Sequence, residues 1–116
     1  MTRAIALLTL MAATTSAVRA GSIGGPKITR EIVLPESTDS YVIAFRADDL
    51  AAVVVSGDGG TDLDLYVYDG NGNLIAKDDD ETDDCAVRWS PRWTGKFRIR
   101  VVNRGSLPNK YTIASN

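Results

Sequence analysis

Asp62-Leu63-Asp64-Leu65-Tyr66-Val67-Tyr68-Asp69, followed directly by Gly70-Asn71-Gly72-Asn73, decides the fold class of this chain. Leu63, Leu65 and Val67 alternate with Asp64, Tyr66 and Tyr68. A period of two places one set on each face of a half-buried strand, whereas an amphipathic helix repeats every three to four residues. Asn and Gly tolerate positive φ, so the Gly-Asn-Gly-Asn run reads as a hairpin turn. Residues 74–77 then form the short return strand.

Outward from that hairpin the same period continues. Residues 28–34, 40–46, 84–90, 96–103 and 109–115 read as strands, separated by Pro35, Pro91, Thr94-Gly95 and similar breaks. Residues 50–56 (LAAVVVS) lack alternation, as expected of a strand buried on both faces. The total is about eight short strands, and no stretch supports a long amphipathic helix. This pattern predicts an all-β chain, an antiparallel β-sandwich. The predicted inward residues are Leu63, Leu65 and Val67; Cys85, Val87 and Trp89; Phe97, Ile99 and Val101; Tyr111 and Ile113. Trp93, in a turn, is expected to be exposed.

Composition narrows the chemistry. The 116 residues contain no histidine and one cysteine. Ser-His-Asp and Cys-His catalysis, His-ligated metals, zinc sites and an intrachain disulfide are therefore absent. Cys85 reads as a small buried hydrophobe. Residues 1–20 carry Arg3, an apolar run from Ala4 to Ala13, and Val18-Arg19-Ala20 before Gly21. That is the layout of a secretory signal peptide, with an apolar run too short to span a membrane. The expected organisation is a signal peptide at 1–20, a flexible N-terminal segment at 21–27 and one β-sandwich domain at 28–116. The mature protein is expected in the periplasm or secreted, and not membrane-spanning. Loss of Arg3 and Arg19 would take the net charge from −2 to −4, which argues against nucleic acid as a partner. Every acidic residue lies between Glu31 and Asp84, and from Cys85 onward there are seven basic residues and no acid.

Three pieces together carry a family resemblance: Asp62-Leu63-Asp64-Leu65-Tyr66; Pro91, then Thr94-Gly95-Lys96-Phe97-Arg98-Ile99-Arg100-Val101-Val102-Asn103; and Asn109-Lys110-Tyr111-Thr112-Ile113. In order and spacing the chain resembles the bacterial pre-peptidase C-terminal domain, from about Ser40 to Asn116. The resemblance implies a jelly-roll-like sandwich, usually an accessory module of secreted hydrolases serving secretion, stability or attachment to insoluble substrates. No peptidase precedes the domain in this sequence, so the expected form is a stand-alone module. Some relatives bind calcium, but their Glu/Asn-rich ligand linker has no counterpart in residues 21–27.

Two groups of residues are candidate sites. Asp62 and Asp64 share one strand face, and Asp78, Asp79, Asp80 and Asp83 lie in an acidic loop after the return strand. So many carboxylates call for compensation. Calcium, which takes six to eight oxygen ligands, is one source; Arg88, Arg98 and Arg100, or plain solvation, are others. The candidate binding surface is Tyr66, Tyr68, Arg88, Trp93, Arg98 and Arg100, aromatic and guanidinium groups suited to a protein, a polysaccharide or another polymer. Asp69-x-Asn71-x-Asn73 imitates a calcium-loop spacing, but Leu74 occupies the place that needs glycine, and the hairpin explains it. No residue set supports catalysis. The expected function is an exported, non-catalytic module that binds an extracytoplasmic protein or polymer, or assists the secretion or stability of a partner. A calcium-stabilised structural domain is the alternative, and a small hydrolase comes last.

Overall fold

A computed structural model describes residues 21–116. The expected signal peptide, residues 1–20, lies outside the described residues. All eight expected strands form, with no end moved by more than two positions: β1 (Lys27–Val33), β2 (Thr38–Phe45), β3 (Ala51–Ser56), β4 (Leu63–Tyr68), β5 (Leu74–Asp78), β6 (Asp84–Trp89), β7 (Gly95–Asn103) and β8 (Asn109–Ser115). They make two four-stranded sheets, ordered β1-β8-β3-β6 and β2-β7-β4-β5. Every pairing is antiparallel. Eight strands shared between two facing sheets in this order make a jelly roll.

The inner faces meet as the alternation requires. All of the predicted inward residues are buried, and Val33, Ile43, Phe45, Ala51, Val53 and Val55 join them. β3 lies between β6 and β8, so both its edges are paired; apart from half-buried Val54 its residues are buried. That accounts for its unbroken apolar run. At one end Trp89 packs edge-on to Phe45, with ring centroids 4.9 Å apart, and against Phe97 at 5.6 Å. Burial of a large apolar side chain contributes about 1.5–3 kcal/mol. The sheets are also pinned by polar groups. Tyr111 on β8 donates to Asp39 on β2 at 2.6 Å and accepts from Tyr41 at 2.5 Å. Burial pushes both phenols above their ordinary pKa.

The hairpin turn is built by one carboxylate. Asp69 Oδ1 accepts from the backbone N–H of Asn71 and of Asn73, each at 2.9 Å, and Gly72 takes a φ of 85°. These hydrogen bonds, led by that from Asn73, hold the Asp69 carboxyl below its usual pKa.

Within residues 21–27, expected to be loose from their glycines, the first two pack against the domain. Gly21 and Ser22 are buried, and Ser22 forms a bridge with Phe45. Gly21 O accepts from Arg46 N at 2.8 Å, and Ser22 N donates to Asn116 O at 3.0 Å. A side chain at position 21 would place its Cβ 2.5 Å from the Leu50 carbonyl oxygen, so that close approach requires glycine.

Candidate binding face

The antiparallel register brings the aromatic and cationic candidates together on the outer face of the β2-β7-β4-β5 sheet. Lys96, Arg98 and Arg100 alternate with buried Phe97, Ile99 and Val101, so all three point outward and are exposed. β4 places Tyr68 directly opposite Arg98 and Tyr66 opposite Arg100. β2 places Val42, which is 57% exposed, on the other side of Arg98. The Arg100 guanidinium lies 5.5 Å from the centre of the Tyr68 ring. The rings of Tyr66 and Tyr68 stack 6.5 Å apart with planes 29° from parallel.

Arg104, just beyond β7, holds this platform in place. Its Nε donates to Asp64 Oδ2 at 2.7 Å, and its NH2 group donates to the Tyr66 hydroxyl at 3.0 Å. The Tyr66 hydroxyl in turn donates to Asp64 Oδ2 at 3.3 Å. Asp64 therefore fixes the ring of Tyr66, on which Tyr68 rests. Beside Tyr68 lies an open depression of about 610 Å³, lined by Lys96, Arg98, Arg100 and Val42 and, at the hairpin, by Gly70, Gly72 and Asp69, whose carboxylate accepts from the turn's own N–H groups.

Two candidates fall away from this face. Arg88 is expected on this face from its sequence, but β6 pairs with β3 in the other sheet. Arg88 is thus exposed on the opposite side of the sandwich. Trp93 is 47% exposed in the β6–β7 turn, next to Gly95, and does not line the depression. Lys96 and Arg104 join the face beyond the expected residues. Parity with Arg98 and Arg100 marks Lys96, whereas Arg104 follows the end of its strand and carries no periodic signal.

The six candidate metal ligands do not gather into one cluster. Among the described residues no three acidic or thiol groups come together to hold a metal. Asp78 accepts from Ala86 N, Asp79 pairs with Lys77, Asp80 accepts from Thr82, and Asp83 accepts from Gly59 N and Asn109 Nδ2. Asp62 and Asp64 remain adjacent, and Oδ1 of each is buried without a hydrogen-bond partner. Burial first, then Asp64, Asp80 and Glu81, pushes the Asp62 carboxyl above the usual range, and Arg104 partly offsets this.

No family model matches the chain, and no curated protein matches it. Solved structures do. The pre-peptidase C-terminal domain of collagenase from Bacillus anthracis superposes with a TM-score of 0.61 at 13% identity, covering 78% of this chain and 88% of that one. The chain has the fold of a pre-peptidase C-terminal domain. The same fold extends to two other proteins. Aeromonas hydrophila PliG, a periplasmic lysozyme inhibitor of g-type lysozyme, gives 0.58 at 14% identity over 84% and 86% of the two chains. The Yersinia pseudotuberculosis-derived mitogen gives 0.61 at 11% identity over 79% and 85%. At such identities the likeness concerns the sandwich and not the residues on its faces. No helix among the described residues is long and apolar enough to cross a membrane.

Proposed function

We propose that this protein is an exported, non-catalytic binding module that engages a partner outside the cytoplasm through the outer face of the β2-β7-β4-β5 sheet. One observation carries the reading. Lys96, Arg98 and Arg100 stand in a row beside stacked Tyr66 and Tyr68, and among the described residues none of the three cations has an ion-pair partner. Cations without ion-pair partners beside half-buried aromatic rings are the composition of a recognition site rather than of a solvated face. The residue layout of 1–20 supports export. So do the neighbours, a collagenase domain, a periplasmic inhibitor and a mitogen.

The test is retention on native envelope and culture-fluid fractions. Mature protein should be retained, and a variant with Lys96→Glu, Arg98→Glu and Arg100→Glu should be released. Arg88→Glu, on the opposite sheet, should behave as the parent. Equal retention of the triple variant would overturn the reading.

A second reading, a calcium-stabilised domain, has one observation in its favour. The partnerless Oδ1 atoms of Asp62 and Asp64 would both be satisfied by a cation. They would supply only the first of the six to eight oxygens that calcium takes. A melting temperature that rises in calcium and falls back in chelator at fixed ionic strength would support this reading. Superimposable curves would remove it.

A further inference from the structure

We propose that the outer face of the β2-β7-β4-β5 sheet binds an acidic polysaccharide, holding its sugar rings on Tyr66 and Tyr68 and its anionic groups on Lys96, Arg98 and Arg100. The inference rests on the reading that this face is the binding surface, and it names the ligand class.

Charge comes first. Alternate residues on a strand lie about 6.6–6.8 Å apart, so the three cations form a straight row about 13 Å long. The other cations nearby are engaged, Arg104 by Asp64 and Lys77 by Asp79. The row is therefore free to meet a regularly spaced anion. Guanidinium groups bind carboxylates and sulfates through paired N–H donors.

Shape comes second. The Tyr66 ring is held by hydrogen bonds from its hydroxyl to Asp64 and from Arg104, so the aromatic surface is set before any ligand arrives. A pyranose ring offers a C–H face to such a surface and carries its charge at the rim. The Arg100 guanidinium lies over the Tyr68 ring, 5.5 Å from its centre, so charge and aromatic surface adjoin on this face. The depression of about 610 Å³ falls in the range of small-ligand sites, about 300–1,000 Å³, enough for a short run of sugars. It is flanked by Gly70 and Gly72, and a Cβ at Gly72 would meet nothing within 4 Å, so the turn leaves the chain's path open.

The fold disfavours an acidic peptide here. An extended peptide usually docks by adding a strand to a sheet edge, where main-chain groups are unpaired. β7 and β4 are interior strands, each paired on both sides, so they offer a ligand side chains only. A ligand on this face is read by rings and charge.

The experiment uses the mature chain at low salt with three probes: a galacturonate hexamer, the neutral galactose hexamer and a polyglutamate of equal charge. Calorimetric titration should show the uronate binding at least tenfold more tightly than either of the others. Arg98→Gln with Arg100→Gln should weaken it tenfold or more, Tyr68→Ala should weaken it severalfold, and Arg88→Gln should leave it unchanged. Each variant's melting curve is recorded, so that loss of fold is separated from loss of the site. Equal affinity for polyglutamate, or full affinity in Tyr68→Ala, would show a face that reads charge alone and would overturn the proposal. So would no binding of the uronate. If the uronate fails while the charge-reversed triple variant still leaves the envelope fraction, the ligand class falls and the binding face stands. If that variant is retained as well, both fall.

Discussion

Arg104 Nε donates to Asp64 Oδ2 at 2.7 Å, tying the segment that follows β7 to the outer face of β4. The Asp64 side chain is 6% exposed and that of Arg104 is 51% exposed. The carboxylate is the group that needs the pair. Without Arg104 the carboxylate keeps only the longer bond from the Tyr66 hydroxyl, and a hydrogen bond to a charged group is worth about 1.5–3 kcal/mol. Arg104→Gln should lose stability in that range by urea denaturation. Adding Asp64→Asn should restore much of it, since coupled neighbours are not additive. Simple additivity of the two changes would show that the pair is not energetically joined.

Asp62 supplies a pH-dependent prediction. Its carboxyl is pushed upward, chiefly by burial and then by Asp64. A carboxyl with a raised folded-state pKa binds its proton more tightly in the fold than in the unfolded chain. Its contribution is therefore present below the unfolded value, about 3.9, and is lost as pH rises through the folded value. Asp62→Asn should melt above the parent at neutral pH, with the difference closing toward about pH 4. A difference that stays constant across that window would rule out the charge as its cause.

The two tryptophans should behave oppositely. Trp89 is 8% exposed and packed on Phe45 and Phe97, whereas Trp93 is 47% exposed. Trp89→Ala should cost about 3–5 kcal/mol, the range for truncating a buried aromatic. Trp93→Ala should stay within about 0.5 kcal/mol, as for an ordinary surface site. Chemical denaturation of both variants gives the ordering, and a reversed one would contradict the strand register.

Cys85 is 2% exposed, its thiol donates to the Leu63 carbonyl at 3.1 Å, and burial pushes its pKa up. The thiolate is the reactive form. A thiol reagent should therefore label Cys85 only at the rate at which the sandwich opens, and at once in denaturant. Rapid labelling of native protein would place the thiol at the surface.

The elements of the fold were legible because each strand's period is local. Leu63-Asp64-Leu65 shows its face without knowledge of any neighbour, and so does Phe97-Arg98-Ile99. Pairing is not local, and pairing is what the site depends on. Arg88 has the same parity and chemistry as Arg98, yet β6 lies against β3, and the residue ends on the other side of the molecule. The acidic loop reads as one group because its aspartates crowd into residues 78–84. In the fold, Asp78, Asp80 and Asp83 each turn to a different backbone donor, from Ala86, Thr82 and Gly59. Arg104 carries no signal of its own, because its role comes from Asp64, forty positions earlier, and from the Tyr66 hydroxyl.

Ser22 meets Asn116 through two contacts, from its backbone N–H and from its hydroxyl, both to the Asn116 carbonyl. Asn116 is itself fixed by Ala52 N and the Leu50 carbonyl. The two ends of the described domain are therefore neighbours on one pole of the sandwich. A chain with joined ends can be reopened elsewhere, and the exposed hairpin at Gly70–Asn73 is a natural new start. A circular permutant cut there and closed by a short glycine linker between the present ends should retain the jelly roll. By the same geometry, the unpermuted domain can be spliced into a surface loop of a host protein, entering and leaving through one narrow gap.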